Sequence, residues 1–158
     1  MAERLTIIDF VEKYVSQFSS SPFLWEKNLD TNVWEPTTYA EALKKAKRIA
    51  AGLMALGVQK GEKVSYLSEG RDMWVIGELG VLYAGAVNVP LSIKLGETND
   101  LVFRVKHSDS KYIITSKIGS REYYFLYPIE NGIRGKCIGK VRSPIEFEMT
   151  YLKDFFDK

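Results

Sequence analysis

The sequence predicts an α/β fold: a layered domain with a mainly parallel sheet flanked by helices, carrying an N-terminal and a C-terminal β-hairpin. Three observations carry that expectation. Residues 63 to 115 alternate short, nearly unpolar strands with longer helical patterns. Strong start and stop signals bound a helix just before them. Turn-forming Asn and Asp residues separate two aromatic runs near the N-terminus. Short apolar strands joined by connections long enough for right-handed helical crossovers pair in parallel and are covered on both faces.

Taken in order, Ile7, Ile8, Phe10, Val11, Tyr14, Val15 and Phe18 recur at three- and four-residue intervals and predict an amphipathic helix over Thr6 to Phe18. Pro22 to Lys27 and Val33 to Thr37 flank Asn28-Leu29-Asp30-Thr31-Asn32 and predict a hairpin bearing Trp25 and Trp34. Thr38 and Glu41 form a T-x-x-E capping box, and an apolar stripe from Tyr39 to Met54 runs to Gly57, the expected helix stop. Then come a strand at 63–67, a helix at 71–84, a strand at 86–89, a helix at 99–107 and a strand at 111–115. Beyond Gly119, Glu122 to Ile129 and Lys136 to Val141 read as strands around Asn131-Gly132, joined by a loop longer than two residues. Ser143, Pro144 and Glu146 read as the opening of a last helix, with Ile145, Met149, Leu152 and Phe156 as its stripe. Two segments are expected, 1–118 and 119–158, within one compact unit.

Composition excludes several classes. The chain has 158 residues, 46% of them hydrophobic and 27% charged, which is the profile of an ordered protein. Its 22 basic and 20 acidic residues leave a net charge of +2, so no electrostatic footprint for nucleic acid exists at the level of the whole chain. Lys44, Lys45, Lys47 and Arg48 are the densest basic cluster; a solvated helix face is the ordinary reading, a contact with anionic lipid or nucleotide the sharper one. One cysteine and no leader-like opening point to a cytoplasmic address, and the most apolar stretch, Met73 to Leu91, is too interrupted to span a bilayer.

Few residues offer chemistry. His107 has no Ser, Cys or carboxylate set as a triad in sequence, and its place at a helix end suits a dipole contact. Cys137, between Lys136 and Lys140, is either an activated thiol or, more ordinarily, a small strand hydrophobe. The three tryptophans, Trp25, Trp34 and Trp74, are expected in the core, with a pocket wall as the alternative. Ser68, Glu69, Arg71 and Asp72 fall at a strand-to-helix junction, the carboxyl end of a parallel strand, where open α/β sheets take ligands. They are the candidate cofactor-binding set, weighed against a plain capping cluster. With one Cys and one His, no Cys/His metal spacing exists.

Thr38-Tyr39-Ala40-Glu41-Ala42-Leu43, followed by Ala50-Ala51-Gly52-Leu53, Leu56-Gly57-Val58 and Lys60-Gly61-Glu62-Lys63-Val64, resembles motifs of the adenylate-forming (AMP-binding) superfamily. So does Arg71-Asp72-Met73-Trp74 with Glu78-Leu79-Gly80 and Leu82 to Leu91. Their order and spacing are similar to the N-terminal core of AMP-forming long-chain-fatty-acid–CoA ligases, over residues 5 to 118. The resemblance implies a ligase that activates a fatty acid through an acyl-adenylate to acyl-CoA, using ATP, magnesium and coenzyme A. The family's phosphate-holding loop, acidic motif, ribose-binding aspartate and C-terminal lysine have no counterpart here; the nearest loop, Ser116 to Arg121, has too few glycines in the wrong order. The chain is therefore expected to supply scaffold, no catalytic residue and no cofactor of its own, and to be inactive alone. Residues 119–158 depart from the family pattern, as a divergent stretch or as appended foreign sequence. The alternative is a non-enzymatic interaction module, and self-association through an exposed apolar face is expected under both readings.

Overall fold

The computed structural model describes residues 5–97, 100–116, 123–129, 132–143 and 146–148. Helix α1 spans Ile7–Phe18 and begins on a capping box: the Thr6 hydroxyl accepts from the Asp9 amide, and the Asp9 carboxylate accepts from the Thr6 amide. Strands β1 (Pro22–Lys27) and β2 (Trp34–Thr38) pair antiparallel as a separate two-stranded sheet. Helix α2 (Tyr39–Ala55) starts on the expected Thr38–Glu41 box and buries Ala42, Ala46, Ala50 and Leu53.

Strand β3 (Lys63–Leu67), helix α3 (Asp72–Tyr83), strand β4 (Val87–Leu91), helix α4 (Asp100–His107) and strand β5 (Tyr112–Ser116) follow. The order β4-β3-β5 is parallel, with Ser65 level with Val89 and Ile113. The chain thus steps from β3 outward to β4 and back across to β5. Right-handed crossovers in opposite directions set α3 and α4 on opposite faces. Burial agrees. Val64, Tyr66, Tyr112 and Ile114 pack with Leu53, Val58 and Val81 on one face. Ser65 and Ile113 alternate to the other, where Leu101 and Val105 of α4 are also buried.

Helices α2 and α3 end in the same way. Gly57 (φ +92°) and Gly85 (φ +74°) take the left-handed conformation, and Val58 and Ala86 donate back to the carbonyls of Leu53 and Val81 at 3.0 and 3.1 Å. Only glycine enters that region without a Cβ penalty, and Gly57 is the stop that the sequence leads one to expect. Where α2 crosses α3, Gly80 lies against Ile49, and on the sheet side of α3 Gly77 lies against Tyr66 of β3, leaving no room for a methyl group at either.

Three strands extend the sheet beyond β5: β6 (Tyr123–Ile129), β7 (Gly132–Ser143) and β8 (Glu146–Glu148), all antiparallel. Two expectations are corrected here. Strand β7 starts at Gly132, which pairs with Ile129, so the hairpin is tighter than expected and the strand longer. Residues 146–148 are strand where a helix start was expected. Ile145, Phe147 and Met149 alternate with Glu146 and Glu148, and that period of two outweighs the capping pattern. The remainder of the expected helix, from Met149 on, lies outside the described residues.

Candidate functional site

Adjacent strands β3 and β4 send their carboxyl ends into connections on opposite faces of the sheet, which is the switch-point geometry where open α/β sheets form a ligand crevice. Ser68, Glu69, Arg71 and Asp72 all lie at that point, between the end of β3 and the start of α3. The sequence motif is therefore placed where a site would be. What surrounds it decides its chemistry.

The hairpin closes over this end. By strand alternation Trp25, Lys27, Trp34 and Pro36 share one face of the hairpin, and Leu24, Glu26, Glu35 and Thr37 share the other. The second face meets α3. The Arg71 guanidinium lies 3.3 Å from the Glu69 carboxylate and 3.9 Å from that of Glu26, with all three side chains largely withdrawn from water. Asp72 is buried; one carboxylate oxygen accepts from the Thr37 hydroxyl at 3.2 Å and lies 4.0 Å from the Lys45 ammonium, and the other accepts from the Met73 amide at 2.5 Å. The buried Ser68 hydroxyl donates to the Glu69 carbonyl at 3.1 Å.

Two latches result, Glu26–Arg71–Glu69 and Thr37–Asp72–Lys45, and both tie β1–β2 to the first turn of α3. These residues do not fit a nucleotide triphosphate. The one guanidinium present faces two carboxylates and the Lys45 ammonium faces Asp72, so the positive charge at this end is already paired, and the loop carries a single glycine, Gly70. Glu26, Thr37 and Lys45 belong to the cluster through tertiary contact, and the sole sequence signal for the first two is that they alternate with outward-facing residues of the hairpin.

His107 ends α4 and stacks on Phe103, ring centres 5.5 Å apart. Cys137 pairs through its backbone with Leu126 in the β6–β7 ladder; its side chain lies outside the described residues, as does the loop from 117 to 121. Among the described residues no group of three or more His, Cys, Asp or Glu could hold a metal ion, and no helix is long and apolar enough to cross a membrane. Of the tryptophans, Trp74 packs against the core as expected, whereas Trp25 and Trp34 are 55% and 59% exposed. That corrects the core expectation: the inward face of the hairpin is taken by the polar latches, which turns the indoles outward. The basic cluster divides too. Lys45 is spent on Asp72 and Lys47 on Glu12 at 2.8 Å, while Lys44 and Arg48 border a shallow hollow over Val15, Leu43 and Ala51.

The fold is thus an open α/β domain with a switch-point crevice at the carboxyl end of β3. The family described as AMP-binding enzyme matches residues 11–141, most of the chain, and the protein belongs to it. A long-chain-fatty-acid–CoA ligase of Mycobacterium tuberculosis is 39% identical over 67 residues, covering 42% of this chain and 11% of that protein. A long-chain-fatty-acid–CoA ligase of Thermus thermophilus is 27% identical over 136 residues, 86% of this chain and 23% of the relative. Among solved structures, the fatty acid AMP ligase of Legionella pneumophila superposes with a TM-score of 0.59 at 25% identity, over 68% of this chain and 19% of that one. The chain thus spans less than a quarter of the length of these relatives, and what they share with it is an N-terminal region.

Proposed function

We propose that the protein serves ATP-dependent activation of a fatty acid, and that this chain contributes scaffold from the N-terminal part of a long-chain-fatty-acid–CoA ligase. In that reaction the carboxylate attacks the α-phosphate of ATP and expels pyrophosphate to give an acyl-adenylate, and the thiol of coenzyme A then displaces AMP to give acyl-CoA. Fatty acid, ATP and coenzyme A are the partners of the whole reaction, magnesium would shield the phosphates, and the cytoplasm is the compartment. The relatives named as long-chain-fatty-acid–CoA ligases support the substrate class.

One observation supports the scaffold reading: both cations at the carboxyl end of β3, Arg71 and Lys45, are paired with carboxylates of this chain. Incubating the purified chain with a long-chain fatty acid, Mg–ATP and coenzyme A is expected to yield no acyl-CoA above the protein-free blank. Thioester formation in proportion to protein concentration would overturn it.

The second reading, a non-enzymatic module that associates with itself, is favoured by apolar side chains held in water. Ile7, Phe10, Tyr14 and Phe18 on α1 and Trp25 and Trp34 on the hairpin are all more than two-fifths exposed. Sedimentation across a concentration series tests it: association is expected, and a monomer throughout would rule it out.

A further inference from the structure

We infer that the outer face of the β1–β2 hairpin is the interface for a second copy of this chain. The inference rests on the self-association reading and specifies its surface. Trp25, Lys27, Trp34 and Pro36 share that face, with Trp25 opposite Pro36 and Lys27 opposite Trp34. The two indoles are therefore diagonal neighbours on one exposed face. Strand alternation leaves them no inward option, because Glu26 and Thr37 hold the inner face through Arg71 and Asp72.

Charge on the hairpin is self-complementary. Lys27 on the outer face and Asp30 at the turn have no ionic partner among the described residues. A two-fold axis parallel to the strands, between two stacked faces, would set the turn ends of the copies side by side, with each Lys27 beside the turn that carries the other copy's Asp30, the reciprocal pairing that an isologous contact requires. Area sets the strength. Two tryptophans exposed to this degree offer on the order of 300 Å². With Pro36, the Lys27 stem and Leu29, the patch reaches roughly 500 Å² per copy, or about 1,000 Å² in all, the lower bound for a specific interface. The contact is accordingly weak, centred on tryptophans, and dependent on concentration.

Sedimentation equilibrium and tryptophan emission are read together on the full chain, from micromolar to millimolar concentration. Trp74, packed on the core, provides a constant background. The expected result is a dimer whose emission shifts to the blue as it forms. Trp25→Ser and Trp34→Ser remain monomeric, and since neither indole is buried both variants fold. Lys27→Glu weakens the dimer by roughly tenfold, and the added exchange Asp30→Lys restores it. Ile7→Ser and Phe10→Ser on α1 dimerise as the parent does. A dimer lost with the α1 variants and kept with the hairpin variants would overturn the hairpin assignment while leaving self-association standing. A monomer at every concentration would overturn both.

Discussion

The Thr37 hydroxyl on β2 donates to the Asp72 carboxylate at the start of α3, 3.2 Å away and 35 positions along the chain, with both residues buried. That bond joins the hairpin to the crevice end of the sheet. Asp72→Ala leaves the Thr37 hydroxyl without its acceptor and Lys45 without its counter-ion, and is expected to cost about 1–3 kcal/mol in denaturant unfolding. Thr37→Val is expected to cost less. The double variant should cost less than the sum of the singles, because the two side chains share one interaction.

Arg71 should matter to the hairpin more than to the sheet. Arg71→Met removes the cation from Glu26 and Glu69, which are largely withdrawn from water, a loss of roughly 1–3 kcal/mol. Amide exchange is expected to quicken in β1 and β2 and to stay slow in β3 and β5. Uniform acceleration across the domain would mean that Arg71 supports the core instead.

Methyl groups on α3, at Gly80 against α2 and at Gly77 against β3, are expected to destabilise although alanine favours helix. A Cβ at position 80 would sit 2.6 Å from the Ile49 Cγ2 and 3.2 Å from the Ala46 carbonyl oxygen, and one at 77 would sit 2.6 Å from the Tyr66 Cζ. Overpacking of that kind costs about 1–3 kcal/mol, against a propensity gain of about 1 kcal/mol. Thermal unfolding of Gly80→Ala should show a lowered midpoint. Adding Ile49→Ala, which vacates the space, should recover part of it.

Helix α1 is pinned by a contact sensitive to pH at both extremes. The Lys47 ammonium, hydrogen-bonded to Glu12, holds that carboxyl below its ordinary 4.5 despite the opposing effect of burial. A depressed carboxyl gives stability that is present above its unfolded pKa and lost as pH falls through the folded one. Tyr83, which donates to Glu12 at 3.0 Å, is shifted upward, first by burial and then by that carboxylate. A raised phenol gives stability that is present below its ordinary 10.0 and lost at more alkaline pH. Because Glu12 and Lys47 are about half exposed, Glu12→Gln should cost under about 1 kcal/mol at neutral pH, with the difference vanishing in acid. Chemical denaturation of both proteins across pH checks the sign.

Much of the fold was legible because local signals and burial agree. The Thr38–Glu41 box, the stop at Gly57 and the alternation of β3, β4 and β5 with helices all sit where the sequence places them. A second box, Thr6 with Asp9, was also readable, as T-x-x-D. The site was legible only in outline. Ser68, Glu69, Arg71 and Asp72 could be placed at a strand end, but their partners Glu26, Thr37 and Lys45 come from other elements and carry no spacing rule that links them. Trp25 and Trp34 misled for a related reason: size argues for burial, and the side of a hairpin that faces inward is decided by its neighbours. Residues 146–148 carried two compatible periods, and pairing with β7 selected the strand.

The proposed role of this chain, family scaffold without a nucleotide site of its own, is tested most directly by calorimetric titration of the purified chain with Mg–ATP. No saturable heat is the expected result. Saturable one-to-one binding would contradict the claim and place a phosphate site on this chain.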